Sequence, residues 1–294
     1  MNKILKKTLS AALALTSVFA CASTMTACES SNPEVTMTVS FNNETYKLEY
    51  KLYRKVNPAT TKHFMWLVEE GYYDGLCIHN YDEDNLRMYA GGYEVATDSS
   101  DKDGLVAREY FDFVQKSENL SAFPHSVWKN EDKTSPLYTL RGEFSKNYFE
   151  VESGAIKQSF GSLSMYYTAK DVNNRVYVPY DSDKEDPDKT VSREYIYNSA
   201  TSMFYMTLSE TASTNTDYCT FATLKSGSVS KLEALQEAIA EYIADNYDES
   251  SEFVNYKGVS VDYNDLLLED YSKYVYYNIP KSPIVIESMK VTKY

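Results

Sequence analysis

Apolar and polar positions alternate strictly at the start of the region after residue 34. Val35, Met37, Val39 and Phe41 are separated by Thr36, Thr38 and Ser40, and Tyr46, Leu48, Tyr50 and Leu52 repeat the pattern beyond Asn42-Asn43-Glu44. A period of two is that of a strand with one buried face, and two such runs around a short Asn-rich turn predict a β-hairpin. The period then changes. Asn57 and Pro58 make an N-cap and a first helical residue, Phe64, Leu67 and Val68 fall on one helical face, and Gly71 marks the stop. Short strands separated by polar loops follow. Ser230 and Glu233 then form a capping-box pair ahead of Leu232, Leu235, Ile239, Tyr242 and Ile243, which predicts a second helix. The chain closes on Ile284-Val285-Ile286 and Met289-Lys290-Val291, whose alternation slips at Glu287-Ser288 as a bulged strand would. Many strands and two helices predict a closed or nearly closed antiparallel barrel capped at its ends.

The N-terminus has a different character. Met1–Lys7 is basic, Thr8–Ala20 is a run of 13 mostly apolar and small residues, and Met25-Thr26-Ala27-Cys28 resembles a lipobox. Such a run is shorter than the roughly 20 residues that span a bilayer as a helix, so it reads as a cleaved export signal. Resemblance to bacterial lipoproteins implies that Cys28 is the lipidated first residue of the mature chain, attached to the outer face of the cell membrane. The rival box at Cys21 carries the bulky Phe19, and the polar Glu29–Pro33 run after Cys28 suits a tether. The expected organisation is a signal over 1–27, a tether over 28–34 and one domain over 35–294.

Composition narrows the function. The net charge is −14, and the first 27 residues hold Lys3, Lys6 and Lys7 with no acid, so the mature chain stands at −17. Binding to nucleic acid or electrostatic adhesion to anionic lipid is excluded on that balance. Cys77 and Cys219 read as half-buried thiols in place of a bridge. The acidic stretches Thr97–Gly104 and Asp181–Lys189 lack the twelve-residue spacing of a calcium loop and read as solvated insertions. No metal, cofactor, phosphate loop or nucleophile elbow is implied.

The segment Asn57-Pro58-Ala59-Thr60-Thr61-Lys62-His63-Phe64, continuing to Gly71-Tyr72-Tyr73-Asp74-Gly75 and Ile78-His79, resembles the first helix and following strand of cyclophilin-type peptidyl-prolyl isomerases. Gly91-Gly92, Gly142-Glu143-Phe144-Ser145, Gly161–Met165, Asn198–Met206 and Tyr218–Ala222 resemble later blocks of that family in order. The resemblance implies an eight-stranded β-barrel capped by two helices, with insertions near 96–136, 170–197 and 245–281. It also implies an outer groove for proline-containing segments of exported proteins. In the family an arginine and a glutamine act on the prolyl amide; carried over, these positions are Asn80 and Ala90, while Arg87 lies in a loop two residues longer than usual. Pocket positions carried over are Met88, Tyr166, Tyr167, Met203, Tyr205 and Tyr218. His79 matches a structural histidine of the barrel wall.

Three readings remain open from the sequence. The chain is a weak or altered isomerase, a non-catalytic relative that binds proline-containing or extended segments, or a protein that uses some of its 28 tyrosines as platforms for glycans or partners.

Overall fold

The computed structural model describes residues 31–97, 104–150, 154–167, 174–180, 188–213, 217–248, 252–260 and 274–294. Cys28, Cys21 and most of the two acidic stretches lie outside them.

Strands β1 (Glu34–Phe41) and β2 (Glu44–Leu52) pair in unbroken register from Glu34↔Lys51 to Phe41↔Glu44. Asn42 and Asn43 make the connection with φ of 48° and 66°, the left-handed pair that a tight hairpin demands. Every apolar residue of the predicted alternation is buried, each contributing about 1.5–3 kcal/mol relative to exposure.

Helix α1 (Pro58–Glu69) follows. Gly71, at φ 72°, ends it: the Gly71 and Tyr72 amides return to the Val68 and Leu67 carbonyls at 3.2 and 2.9 Å. Its N-terminus differs from the expectation. Asn57 makes no side-chain cap; its amide donates to the Glu143 carbonyl at 3.1 Å and to Cys219 Sγ. The cap comes from the buried Glu143 carboxylate, which accepts from the Ala59 and Thr60 amides at 2.9 and 3.0 Å. Burial pushes the Glu143 carboxyl up to about 7 against the pull of those donors and of Arg141.

The chain continues through β3 (Asn80–Asp82), β4 (Arg87–Ala90), β5 (Tyr93–Val95), β6 (Leu105–Ala107), helix α2 (Tyr110–Lys116), β7 (Val127–Trp128), β8 (Pro136–Leu137) and β9 (Leu163–Met165). Then come β10 (Arg175–Pro179), β11 (Thr190–Glu194), β12 (Phe204–Thr207), β13 (Thr220–Leu224), helix α3 (Ser226–Asn246), β14 (Val254–Ser260), β15 (Tyr274–Pro280) and β16 (Val285–Lys293). The protein is therefore mainly β with three helices among the described residues. Helix α2, inside the first insertion, was not foreseen; it buries Tyr110, Phe111 and Val114. Helix α3 begins a turn before the predicted capping box. Its first turn is instead tied down by Ser228 Oγ, which accepts from the Glu49 amide at 2.9 Å.

The principal sheet has eight strands in the order β16-β1-β2-β13-β9-β12-β4-β3. It curls around the core but is not closed as expected, since among the described residues no ladder joins β3 to β16. Among the described residues the chain leading into β3 crosses the seam: Gly75 and Ile78 amides donate to the Ile286 and Ile284 carbonyls, both at 2.8 Å, and the Ile286 amide to Leu76 at 2.7 Å. Beyond that point β3 lies against β15, whose Asn278 amide donates to Asn80 Oδ1 at 2.8 Å. The predicted bulge is present, because Thr38 pairs with Ser288 and Val39 with Ile286, leaving Glu287 unopposed. Cys77 and Cys219 are free and buried.

The insertions form structures of their own. The first and second combine into a four-stranded sheet, β11-β10-β7-β8, around Val127, Leu137, Val176, Val178 and Tyr195. The third is the β14–β15 hairpin.

Candidate functional site: the outer face of β4 and β12

Adjacent strands β4 and β12 are in register Tyr89↔Tyr205, Met88↔Met206 and Phe204↔Ala90. Successive side chains leave opposite faces, so Met88 and Ala90 join Phe204 and Met206 in the core, at 1% and 0% exposure. Neither lines an outer groove, contrary to the places carried over for them. Arg87 and Tyr89, one position off, share the outer face with Tyr205.

That face is tyrosine-rich. Tyr89 and Tyr205 lie with ring centroids 5.5 Å apart, Tyr205 and Tyr218 at 5.5 Å, Tyr167 and Tyr218 at 5.2 Å, and Tyr89 and Tyr166 at 5.8 Å. With Tyr197, Ile196 and Lys146 they enclose a cavity of about 270 Å³. The positions predicted as Tyr166, Tyr167, Tyr205 and Tyr218 are thus brought together. Arg87 lies against them, its guanidinium carbon 4.5 Å from the Tyr205 centroid and 5.4 Å from that of Tyr218. Such stacking holds a guanidinium in place and is worth about 0.5–2 kcal/mol.

Behind Tyr205 sits Gln158, which the motif comparison missed. Its amide donates to the Tyr205 hydroxyl and, at 3.3 Å, to Ser164 Oγ, which is 2.8 Å from Thr220 Oγ1. Its proximity to the Gly161–Met165 block was the available signal. Burial raises the Tyr205 hydroxyl well above its ordinary pKa, with the Arg87 charge pulling the other way, so it stays a neutral phenol. Lys146, also missed, pairs with Asp217 at 3.0 Å and lies 5.5 Å from the Tyr197 centroid.

The other end of the face is covered. Asn80 Oδ1 accepts from the Asn278 amide of β15 at 2.8 Å. His79 is enclosed between Tyr93 and Tyr277, each with centroids at 4.8 Å, and neither ring nitrogen has a hydrogen-bond partner. Burial holds its pKa down at about 3. Met203 packs in this same cluster with Cys77, Val259 and Ile279. Asn80 and Met203 are therefore structural contacts of the hairpin.

Of the tyrosine pairs that suggested surface platforms, Tyr72 and Tyr73 are fully buried and Tyr166-Tyr167 belongs to the pocket. Tyr276 alone of the Tyr276-Tyr277 pair is exposed, stacked on Tyr256 at 5.3 Å. Among the described residues no cluster of His, Cys, Asp and Glu is arranged to hold a metal ion, and no helix is long and apolar enough to cross a membrane.

Comparison with known proteins bears on this arrangement. No curated protein matches the chain. Among solved structures, two crystal structures of a Cryptosporidium parvum cyclophilin type peptidyl-prolyl cis-trans isomerase, one with the dipeptide ala-pro present, are similar. Both have 14% identity and a TM-score of 0.42, and they cover 90% and 89% of this chain and 99% of their own. So loose a likeness carries no argument about the site. The family model described as cyclophilin type peptidyl-prolyl cis-trans isomerase/CLD matches residues 36–177, a span that runs from β1 into β10 and includes Asn80, Arg87, Tyr166 and Tyr167. Over residues 36–177 the chain is thus similar to the cyclophilin-type peptidyl-prolyl isomerase family.

Proposed function

We propose that the protein binds proline-containing segments of polypeptide at the tyrosine pocket and isomerises them slowly, with Arg87 supplying the guanidinium that position 80 lacks. One observation supports this above the rest: Arg87 is held 4.5 Å from the Tyr205 ring at the pocket, while Asn80 is committed to β15.

Rotation about the prolyl bond meets a barrier of about 18–20 kcal/mol, because amide resonance keeps the bond planar. A fixed donor directed at that amide lowers the barrier; a neutral Asn is no substitute for a guanidinium fork. Losing one such preorganised donor costs ~10²–10³ in rate. Arg87 restores a cation from the neighbouring strand, but it is stacked on the Tyr205 and Tyr218 rings and does not itself line the cavity. It has to swing off Tyr205 as substrate enters, and this is the reason for slow turnover.

The test is an isomerisation assay on short Ala-Pro peptides with direct measurement of binding. Wild type should bind and turn over, and Arg87→Ala should lose at least tenfold in rate while still binding. Turnover unchanged in Arg87→Ala would overturn the role of that residue. The second reading is a non-catalytic binding protein, favoured by the burial of Ala90 and the covering of Asn80. Peptide binding without any wild-type turnover would establish it in place of the first.

Export and lipid anchoring through Cys28 belong to the same proposal, supported by the basic, apolar and Met-Thr-Ala-Cys segments in sequence. Fatty-acid incorporation that is abolished by Cys28→Ala and kept in Cys21→Ala is the expected result; the reverse pattern would assign Cys21.

A further inference from the structure

A second cavity, of about 390 Å³, adjoins the tyrosine pocket and shares Lys146 and Tyr197 with it. Its lining is cationic: Lys146, Arg175 and Arg193 contribute positive charge against Glu194. In a chain of net charge −14 this grouping is unusual, because the rest of the surface repels acidic ligands.

The two arginines are built into the inserted sheet. Arg175 on β10 stands opposite Glu194, and Arg193 on β11 opposite Val176. Arg175 donates to Ser192 Oγ at 2.8 Å and to the Ser192 carbonyl at 2.9 Å, and Arg193 donates to that carbonyl at 3.1 Å. The Arg193 guanidinium lies 4.8 Å from the Tyr148 centroid, and its Nε is buried with no hydrogen-bond partner. Among the described residues Lys146 has Asp217 as an ion-pair partner, while none of the ion pairs involves Arg175 or Arg193. Fixed guanidiniums with spare donors suit a carboxylate, which accepts two parallel hydrogen bonds.

We propose that this cavity is an acidic-residue subsite: a segment seated in the tyrosine pocket places a neighbouring Asp or Glu side chain between Arg175 and Arg193. The wall common to the two cavities puts them within reach of one extended peptide. This inference rests on the tyrosine pocket being the peptide site, and it adds a preference among peptides. The cations arrive on β10 and β11, so the second insertion is what confers the selectivity.

The test compares two Ala-Pro peptides differing only by Glu or Gln a few residues from the proline, titrated into wild type and into Arg175→Gln/Arg193→Gln at low and high salt. The Glu peptide should bind wild type about tenfold tighter than the Gln peptide. That advantage should shrink in high salt and vanish in the double variant, whose affinity for the Gln peptide should be unchanged, which also shows that the variant is folded. Equal affinities for the two peptides in wild type would overturn the proposal, as would an advantage that survives the double substitution. Should neither peptide bind, the peptide-site reading fails and a titration with N-acetylglutamate decides the rest. Binding that depends on the two arginines supports the subsite, and absence of binding overturns it.

Discussion

The two ends of the β4–β12 outer face differ in what occupies them. At one end the β14–β15 hairpin covers the face: Asn80 bonds to Asn278, and Tyr277 packs with His79, Tyr93 and Met203. At the other end a cavity lined by tyrosines remains, with Arg87 stacked on one of them, Tyr205. The same sheet surface thus serves as an internal interface at one place and as a concave site at the other. An insertion can cover one part of a sheet face and give Asn80 a structural partner, while another part of that face stays concave.

The contrast can be broken most severely at Tyr277. Tyr277→Ala leaves a void beside His79 and Tyr93 and should cost about 3–5 kcal/mol, read as a lower denaturant midpoint with faster exchange of the β14 and β15 amides. The tyrosine pocket should keep its ligand affinity.

Acid sharpens the comparison next. The pKa of His79 is about 3 in the fold against an ordinary 6.5, so the unfolded chain takes up the proton first. Its contribution to stability is whole above pH 6.5 and is lost as pH falls towards 3, at about 1.4 kcal/mol per pH unit. Stability curves for wild type and His79→Phe should diverge by that slope below pH 6.5. Glu143, common to both proteins, works with the opposite sign: its contribution is full below 4.5 and lost as pH rises through about 7. Parallel curves would show that His79 is not buried neutral.

Asn80→Ala removes one acceptor and strands the Asn278 amide, which should cost about 1–3 kcal/mol and loosen β15 in hydrogen exchange. Smallest in stability is Arg87→Ala, at about 0.5–1 kcal/mol for a partly exposed cation–π contact. If Arg87→Ala instead destabilised more than Asn80→Ala in thermal unfolding, the guanidinium would be a structural prop.

Local patterns carried much of the fold. The alternation in β1 and β2, the Asn-Asn turn, the Gly71 stop and the slip at Glu287 each depend on neighbours in sequence, and each was readable. The Glu143 cap on α1 and the β15 contact of Asn80 join residues 84 and 198 positions apart, which no local pattern reveals. At the site, anchoring β4 on Gly91-Gly92 put Met88 and Ala90 on the groove side. A slip of one residue exchanges the two faces of a strand, and the run Arg87-Met88-Tyr89-Ala90 already alternated polar with apolar. The glycine anchor is structurally apt nonetheless: Gly91 has φ 95°, and a Cβ there would collide with the Ser202 carbonyl. Ile196 and Lys146 reach the pocket from short turns outside the strands, and Gln158 backs Tyr205 from a loop, so strand patterns missed all three.

The pairing of β1 with β16 has a consequence for how the chain must assemble. One flank of β1 finds its partner in β2, which begins three residues beyond Phe41, but the other waits for residues 285–293. Until then a hydrophobic strand stands with a bare row of amides and carbonyls, the kind of edge that recruits other chains. Pairing across so long a loop is also intrinsically slow. Truncation before Val285 would leave that edge uncovered, so β16 acts as the cap on the outer flank of β1.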